Sequence, residues 1–158
     1  MNKLKSIKPV FFIYIAVVVR VIIFKYPWDS LKAVVDTWEK GVILAGLESA
    51  NFTPFKTIKM YIEYSYKLNS FENLAGNVVV FIPLGFLLPY LQEGCRNFAL
   101  LMLNALVFVL GIEVFQLFSA FGAFDVDDIL LNCLGAGLGW VLHIWWETIR
   151  KNAGNISK

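Results

Sequence analysis

Asn73 and Asn77, Glu113 and Gln116, and Asp125, Asp127, Asp128 and Asn132 form three polar groups, each at the edge of a long apolar stretch. The spacing of the first two pairs places their members on one face of a helix. Carboxylates and carboxamides so arranged could hold the polar head of an amphipathic molecule, and a desolvated carboxyl group could serve as a general base. Arg20 adds a cation inside the first apolar stretch. Polar side chains at membrane depth are costly, which makes the set a candidate site.

Each member also has a purely structural use. Asp127 or Asp128 could cap a helix. Asn77, Gln116 and Asn132 could bridge helices, at roughly 1 kcal/mol per contact, and Glu113 could pair with Arg20. A cation held by Glu113, Asp125, Asp127 and Asp128 is a lesser alternative. No His or Cys cluster has metal-ligand spacing, no Gly-rich phosphate loop is present, and no Ser–His or Cys–His pair offers a nucleophile. Nothing in the sequence calls for a cofactor or a nucleic-acid partner.

The elements that must position these residues are membrane spans. Of 158 residues, 58% are hydrophobic and 16% charged, with a mean hydropathy of +0.65, too apolar for a soluble domain of this size. The expected fold class is all-α: one polytopic membrane domain with four transmembrane helices at about 8–28, 75–91, 98–121 and 129–146, and an amphipathic segment at 29–72. The first stretch follows Lys3, Lys5 and Lys8 like a signal peptide. It lacks a small-x-small cleavage site and ends in the bulky Lys25-Tyr26-Pro27-Trp28, so retention as an anchor is expected.

Orientation follows from the basic residues. The amino-terminal lysines, Arg96 between the second and third spans, and Arg150, Lys151 and Lys158 in the tail predict cytoplasmic termini in a cell membrane. Six lysines between Lys25 and Glu72 run against this, on a long loop that counts little in the rule. Asn73 and Asn77 then open the second span at its outer end. Glu113 stands about 22 Å along the third span from Phe98, in its outer third, and Asp127 and Asp128 open the fourth. All three groups, with Arg20, fall in one outer-leaflet layer. Cys95 and Cys133 should stand near opposite faces.

Other features read as architecture. Gly135 and Gly139 have the spacing for close helix approach. Pro83, Gly85 and Pro89 predict a kink or local break in the second span. His143 lies near the inner end among Trp140, Trp145 and Trp146, an interfacial aromatic belt. Between the first two spans, Leu31, Val34, Val35, Trp38, Val42 and Ala45 follow helical spacing. Asn51-Phe52-Thr53-Pro54-Phe55 reads as a turn, and Ile58, Tyr61 and Ile62 mark a second short surface helix. This segment could lid the polar layer.

Four stretches resemble the VanZ-like membrane proteins of bacteria: Asn51 to Ile58 (NFTPFKTI), Asn77 to Leu88 (NVVVFIPLGFLL), Glu113-Val114-Phe115-Gln116, and Asp125-Val126-Asp127-Asp128 with Asn132 and Gly135. The resemblance covers most of the chain. It implies a small multi-pass protein linked to low-level resistance to the lipoglycopeptide teicoplanin, with no established enzymatic activity. The family often has an Arg where this chain has Gly122; if that Arg pairs with the acidic motif, this chain uses Arg20 instead or lacks the contact.

Two functions are open. In the first, Arg20, Asn73, Asn77, Glu113, Gln116, Asp125, Asp127, Asp128 and Asn132 bind an amphipathic ligand among the membrane lipids, either a lipoglycopeptide or a lipid-linked cell-wall precursor. In the second, the protein is a membrane-embedded enzyme using carboxylate acid/base residues on a lipid-linked substrate. Binding is the expected one, because acidic residues alone identify no reaction.

Overall fold

A computed structural model describes residues 2–23, 28–36, 40–64, 70–119 and 121–156. The helices are α1 (Asn2–Val18, continued by a π-helical turn, Val19–Ile23), α2 (Trp28–Asp36), α3 (Lys40–Ser49), α4 (Lys56–Glu63), α5 (Ser70–Leu91), α6 (Phe98–Ser119) and α7 (Val126–Ile156), with a 3-10 turn at Glu93–Arg96. Among the described residues the one β contact is an isolated parallel bridge between Asn51 and Asp125.

Three helices are long and apolar enough to cross a membrane: Glu72–Leu91, Phe98–Ser119 and Val126–Ala153. Their outward faces are lined with exposed residues such as Leu103, Val107, Phe118 and Val141, a surface suited to lipid and not to water. The chain is thus a multi-pass membrane protein. Local chemistry fixes the helix starts. Asn97 Oδ1 accepts the N–H groups of Ala99 and Leu100 at 2.9 and 3.2 Å and caps α6. Asp125 Oδ1 accepts the N–H of Asp127 at 2.8 Å and caps α7, so the capping expected of Asp127 or Asp128 falls to the residue before the helix. α7 also runs well past 146, because its polar tail keeps helical geometry beyond the apolar stretch.

The bundle turns on the contact between α5 and α7, the most extensive among the described residues. A Cβ on Gly135 would stand 2.1 Å from the Val78 carbonyl oxygen, one on Gly139 2.0 Å from that of Ile82, and one on Gly85 1.8 Å from that of Ala136. The two backbones touch along this seam, with Cα–H groups facing carbonyls. The local break expected at Pro83 and Pro89 does not occur, since α5 is one helix through both prolines. α6 lies across α7, and Phe81, Leu84, Ala105, Val109, Ile112, Ile129 and Ala136 close the small core with Val18 of α1. Tyr14 of α1 donates to the Val80 carbonyl at 3.0 Å.

α1 is helical from Asn2, earlier than the expected start at Lys8, and Trp28 opens α2 in place of ending the first span; Tyr26 lies outside the described residues. The helical pattern from Leu31 to Ala45 is divided between α2 and α3, and Trp38 lies outside the described residues. At the opposite end from α4, His143 is buried against the rings of Phe86 and Tyr90, while Trp145 and Trp146 are exposed. Cys95, in the 3-10 turn, and Cys133, on α7, are both free, and burial pushes the Cys95 thiol up from its ordinary value.

The seam gives a matched test. Gly139→Ala forces a methyl into backbone and should destabilise the protein by about 1–3 kcal/mol. Gly111→Ala, which meets nothing within 4 Å, should be neutral or stabilise by up to about 1 kcal/mol. Thermal unfolding of both in detergent reads the difference; equal melting points would rule out the close approach.

Candidate functional site

The start of α5, the end of α6 and the start of α7 meet at one end of the bundle, where α7 must begin next to a polar loop. Asn51 ties that loop down. Its N–H donates to the Phe124 carbonyl at 2.8 Å, and its own carbonyl accepts the Val126 N–H at 3.0 Å. Its Nδ2 donates to Asp125 Oδ1 at 2.8 Å and to Thr57 Oγ1 at 3.1 Å, while Oδ1 accepts the Thr53 N–H at 3.1 Å, closing an Asx turn. Thr57 Oγ1 donates to Asp125 Oδ2 at 2.6 Å. The rings of Phe52 and Phe124 stack over this junction with centroids 5.1 Å apart.

Asp127 is fully buried at 0% exposure. Its carboxylate accepts the N–H groups of Phe55 at 2.5 Å, Thr57 at 2.7 Å and Ile58 at 3.1 Å. These are the first donors of α4, whose own preceding residue, Phe55, is left-handed (φ 66°) and offers no side-chain cap. One helix thus caps another through a buried carboxylate, with charge and helix dipole complementary. Glu113, 1% exposed, accepts the Asp125 N–H through Oε2 at 3.0 Å. Glu113 and Asp127 therefore hold the loop and the start of α7 in place.

Between the lid formed by 49–61 and the three helix ends lies a cavity of about 550 Å³, within the usual range for a small-ligand site. Asn73, Asn77, Gln116, Asp125, Asp128 and Asn132 line it; Arg20, Glu113 and Asp127 do not. Asn77 Nδ2 donates to Asp128 Oδ1 at 2.5 Å. Arg20 is exposed on the π-helical turn, whose next residue, Val21, reaches the cavity. Asn132 is 1% exposed, and its Oδ1 has no hydrogen-bond partner among the described residues. A Cβ on Gly122 would meet the Gln116 amide at 3.0 Å, so any side chain at this position would displace Gln116 from its place.

The lid adds wall residues that were not among the candidates: Asn51, Lys56, Thr57 and Tyr61, with Glu72 from α5. The Asn-Phe-Thr-Pro turn was the available signal, because an Asx turn directly before a helix places the next polar side chains on one side. Lys56 is exposed, and with Glu72, Asp125 and Asp128 it makes the charged lining net acidic.

Asp127→Ala leaves three part-buried N–H groups without their acceptor and should cost about 1–3 kcal/mol. Amide exchange at Phe55, Thr57 and Ile58 should quicken while the α5–α7 seam stays protected. Asp127→Asn keeps one acceptor and should lose less. Unchanged exchange in the alanine variant would remove the capping role.

Residues 11–147 match the VanZ/LLP1 family. The chain is 27% identical over 133 residues to Protein VanZ of Enterococcus faecium, a match that covers 83% of this chain and 69% of that relative. No solved structure matches it. With the family's pattern running from α1 into the last turns of α7, the chain belongs to the VanZ/LLP1 family.

Proposed function

We propose that the cavity receives the polar head of an amphipathic ligand in the outer leaflet, and that by holding it the protein lowers susceptibility to lipid-tailed glycopeptides. Membership of a family linked to teicoplanin resistance supports this. The observation that carries it is a polar cavity of about 550 Å³ at one end of an otherwise apolar bundle, where a lipid tail can stay in the bilayer while the head enters protein. The ligand is either the lipoglycopeptide itself or a lipid-linked cell-wall precursor. Asn73, Asn77, Gln116, Asp125, Asp128 and Asn132 contact it, and Glu113 and Asp127 position the wall.

In this reading α1 and its π-helical turn form a fourth span, since Asn2 to Ile23 reaches about 30 Å. The helices α2, α3 and α4 rest in the headgroup region, and both termini are cytoplasmic. The lysines at the start of α1, Arg96, and Arg150 with Lys151 all belong to the bundle end away from the cavity, as the positive-inside rule asks.

Two experiments test the proposal. Ala123, exposed at the cavity wall, is changed to Cys after both natural cysteines are replaced by alanine. The Ala123→Cys thiol should react with an impermeant reagent on intact cells; labelling only after permeabilisation would invert the orientation and move the cavity to the cytoplasm. Asp128→Asn keeps size and the bond to Asn77 while removing a charge. It should accumulate in the membrane yet return cells to the teicoplanin susceptibility of cells without the protein. Glu113→Gln, which still accepts the Asp125 N–H, should retain protection. Full protection with Asp128→Asn would sink the ligand role of that carboxylate.

A further inference from the structure

The cavity end gathers more negative charge than the fold neutralises. Glu72, Asp125 and Asp128 line the cavity, with Lys56 as the cation among the described lining residues. Even with Arg20 counted beside the wall, the buried Glu113 and Asp127 behind it leave carboxylates in excess among the described residues. Hydrogen bonding does not remove the charge, because every group that reaches Asp125 and Asp127 is a donor. Asn132 stands four residues after Asp128 on the same face of α7. It is 1% exposed and lines the cavity, yet its Oδ1 meets no donor among the described residues. The site therefore asks for positive charge and for a hydrogen-bond donor at once.

The two demands together narrow the ligand. A hydroxyl group donates but brings no charge, and a phosphate brings charge of the wrong sign. A quaternary ammonium has the charge and no N–H. An inorganic cation needs several oxygens converging on it, and no cluster of three or more His, Cys, Asp or Glu side chains is so placed among the described residues. A primary ammonium meets both demands in one compact group, with three N–H donors and one positive charge.

We infer that the cavity holds a primary ammonium on the head of a membrane amphiphile, with one N–H donating to Asn132 Oδ1 and the positive charge set among Glu72, Asp125 and Asp128. The inference rests on the reading of the cavity as an amphiphile site and names the chemistry of the head. Its two parts fall to different residues: Asn132 reads the N–H donor, and the carboxylates read the charge.

The test uses the full-length protein in a polyoxyethylene detergent at neutral pH. Three tail-matched lipids that share one phosphate are titrated and followed by native mass spectrometry: phosphatidylethanolamine, phosphatidylcholine and phosphatidylglycerol. Phosphatidylethanolamine should bind saturably at one per protein, about tenfold tighter than phosphatidylcholine, which has no N–H. Phosphatidylglycerol, whose hydroxyls could serve Asn132 but whose charge is of the wrong sign, should bind most weakly. Asn132→Ala should bring phosphatidylethanolamine down to the level of phosphatidylcholine and leave phosphatidylcholine where it is. Glu72→Gln, at an exposed wall position, should weaken both ammonium-bearing lipids about two- to threefold, and it gives a reading if the Asn132 variant fails to fold. Phosphatidylethanolamine no tighter than phosphatidylcholine would overturn the contact to Asn132 and with it the primary ammonium. If phosphatidylglycerol binds most tightly and loses affinity in Asn132→Ala, the ammonium is overturned and the amphiphile site stands. If free ethanolamine displaces the lipid at the lipid's own concentration, the ammonium stands and the amphiphile reading falls. Equal binding of all three lipids, unchanged in both variants, leaves only annular lipid, and both readings fall.

Discussion

A buried carboxylate needs donors, and at the end of an apolar bundle they must come from protein. Asp127 meets that demand with the first N–H groups of α4, which lack an acceptor of their own. Neither partner is stable alone in this place: the carboxylate would be an unpaired buried charge, and α4 would carry orphan donors at its start. Their mutual satisfaction fixes the lid on α7, and the lid closes the cavity. The neighbouring carboxylates follow the same logic, Asp125 holding Asn51 and Thr57, and Glu113 holding the Asp125 N–H. Much of the acidity at this end is thus spent on building the wall.

The second constraint is the seam between α5 and α7. Because Gly135 and Gly139 let α7 lie directly on the carbonyls of Val78 and Ile82, the registers of the two helices are locked together. That register brings Asn77, the residue directly before Val78, to Asp128, two turns before Gly135. Glycine spacing in the middle of the bundle and carboxamide placement at its end are therefore one feature, and a change of register at the seam would separate the polar walls.

Each end of the bundle carries its own polar group. Away from the cavity, Tyr90 donates to Glu147 at 2.9 Å and Glu147 pairs with Arg150 at 3.1 Å, a polar group that satisfies itself near the helix ends. Each end also holds a buried side-chain atom without a hydrogen-bond partner among the described residues, Asn132 Oδ1 at the cavity end and His143 Nδ1 at the other.

Apolar length sufficed to predict the helices Glu72–Leu91 and Phe98–Ser119 within a few residues, because a span is dictated by local hydropathy, while Val126–Ala153 runs beyond the expected end at 146. The convergence of Asn77, Gln116, Asp128 and Asn132 was legible too, since alternating helices must return their polar ends to one side. What the sequence could not divide was the acidic motif. Asp125, Asp127 and Asp128 have the same side chain within four positions, yet one caps α7, one caps α4 and one lines the cavity beside Asn77. The segment could be read as a lid, but that Asn51, Lys56, Thr57 and Tyr61 are the side chains it turns to the cavity could not. Helical periodicity tells which side of an element a residue occupies, but which distant backbone donors or cavity it meets is set by loop closure between Asn51 and Asp125, a contact across 74 positions that only the folded chain makes.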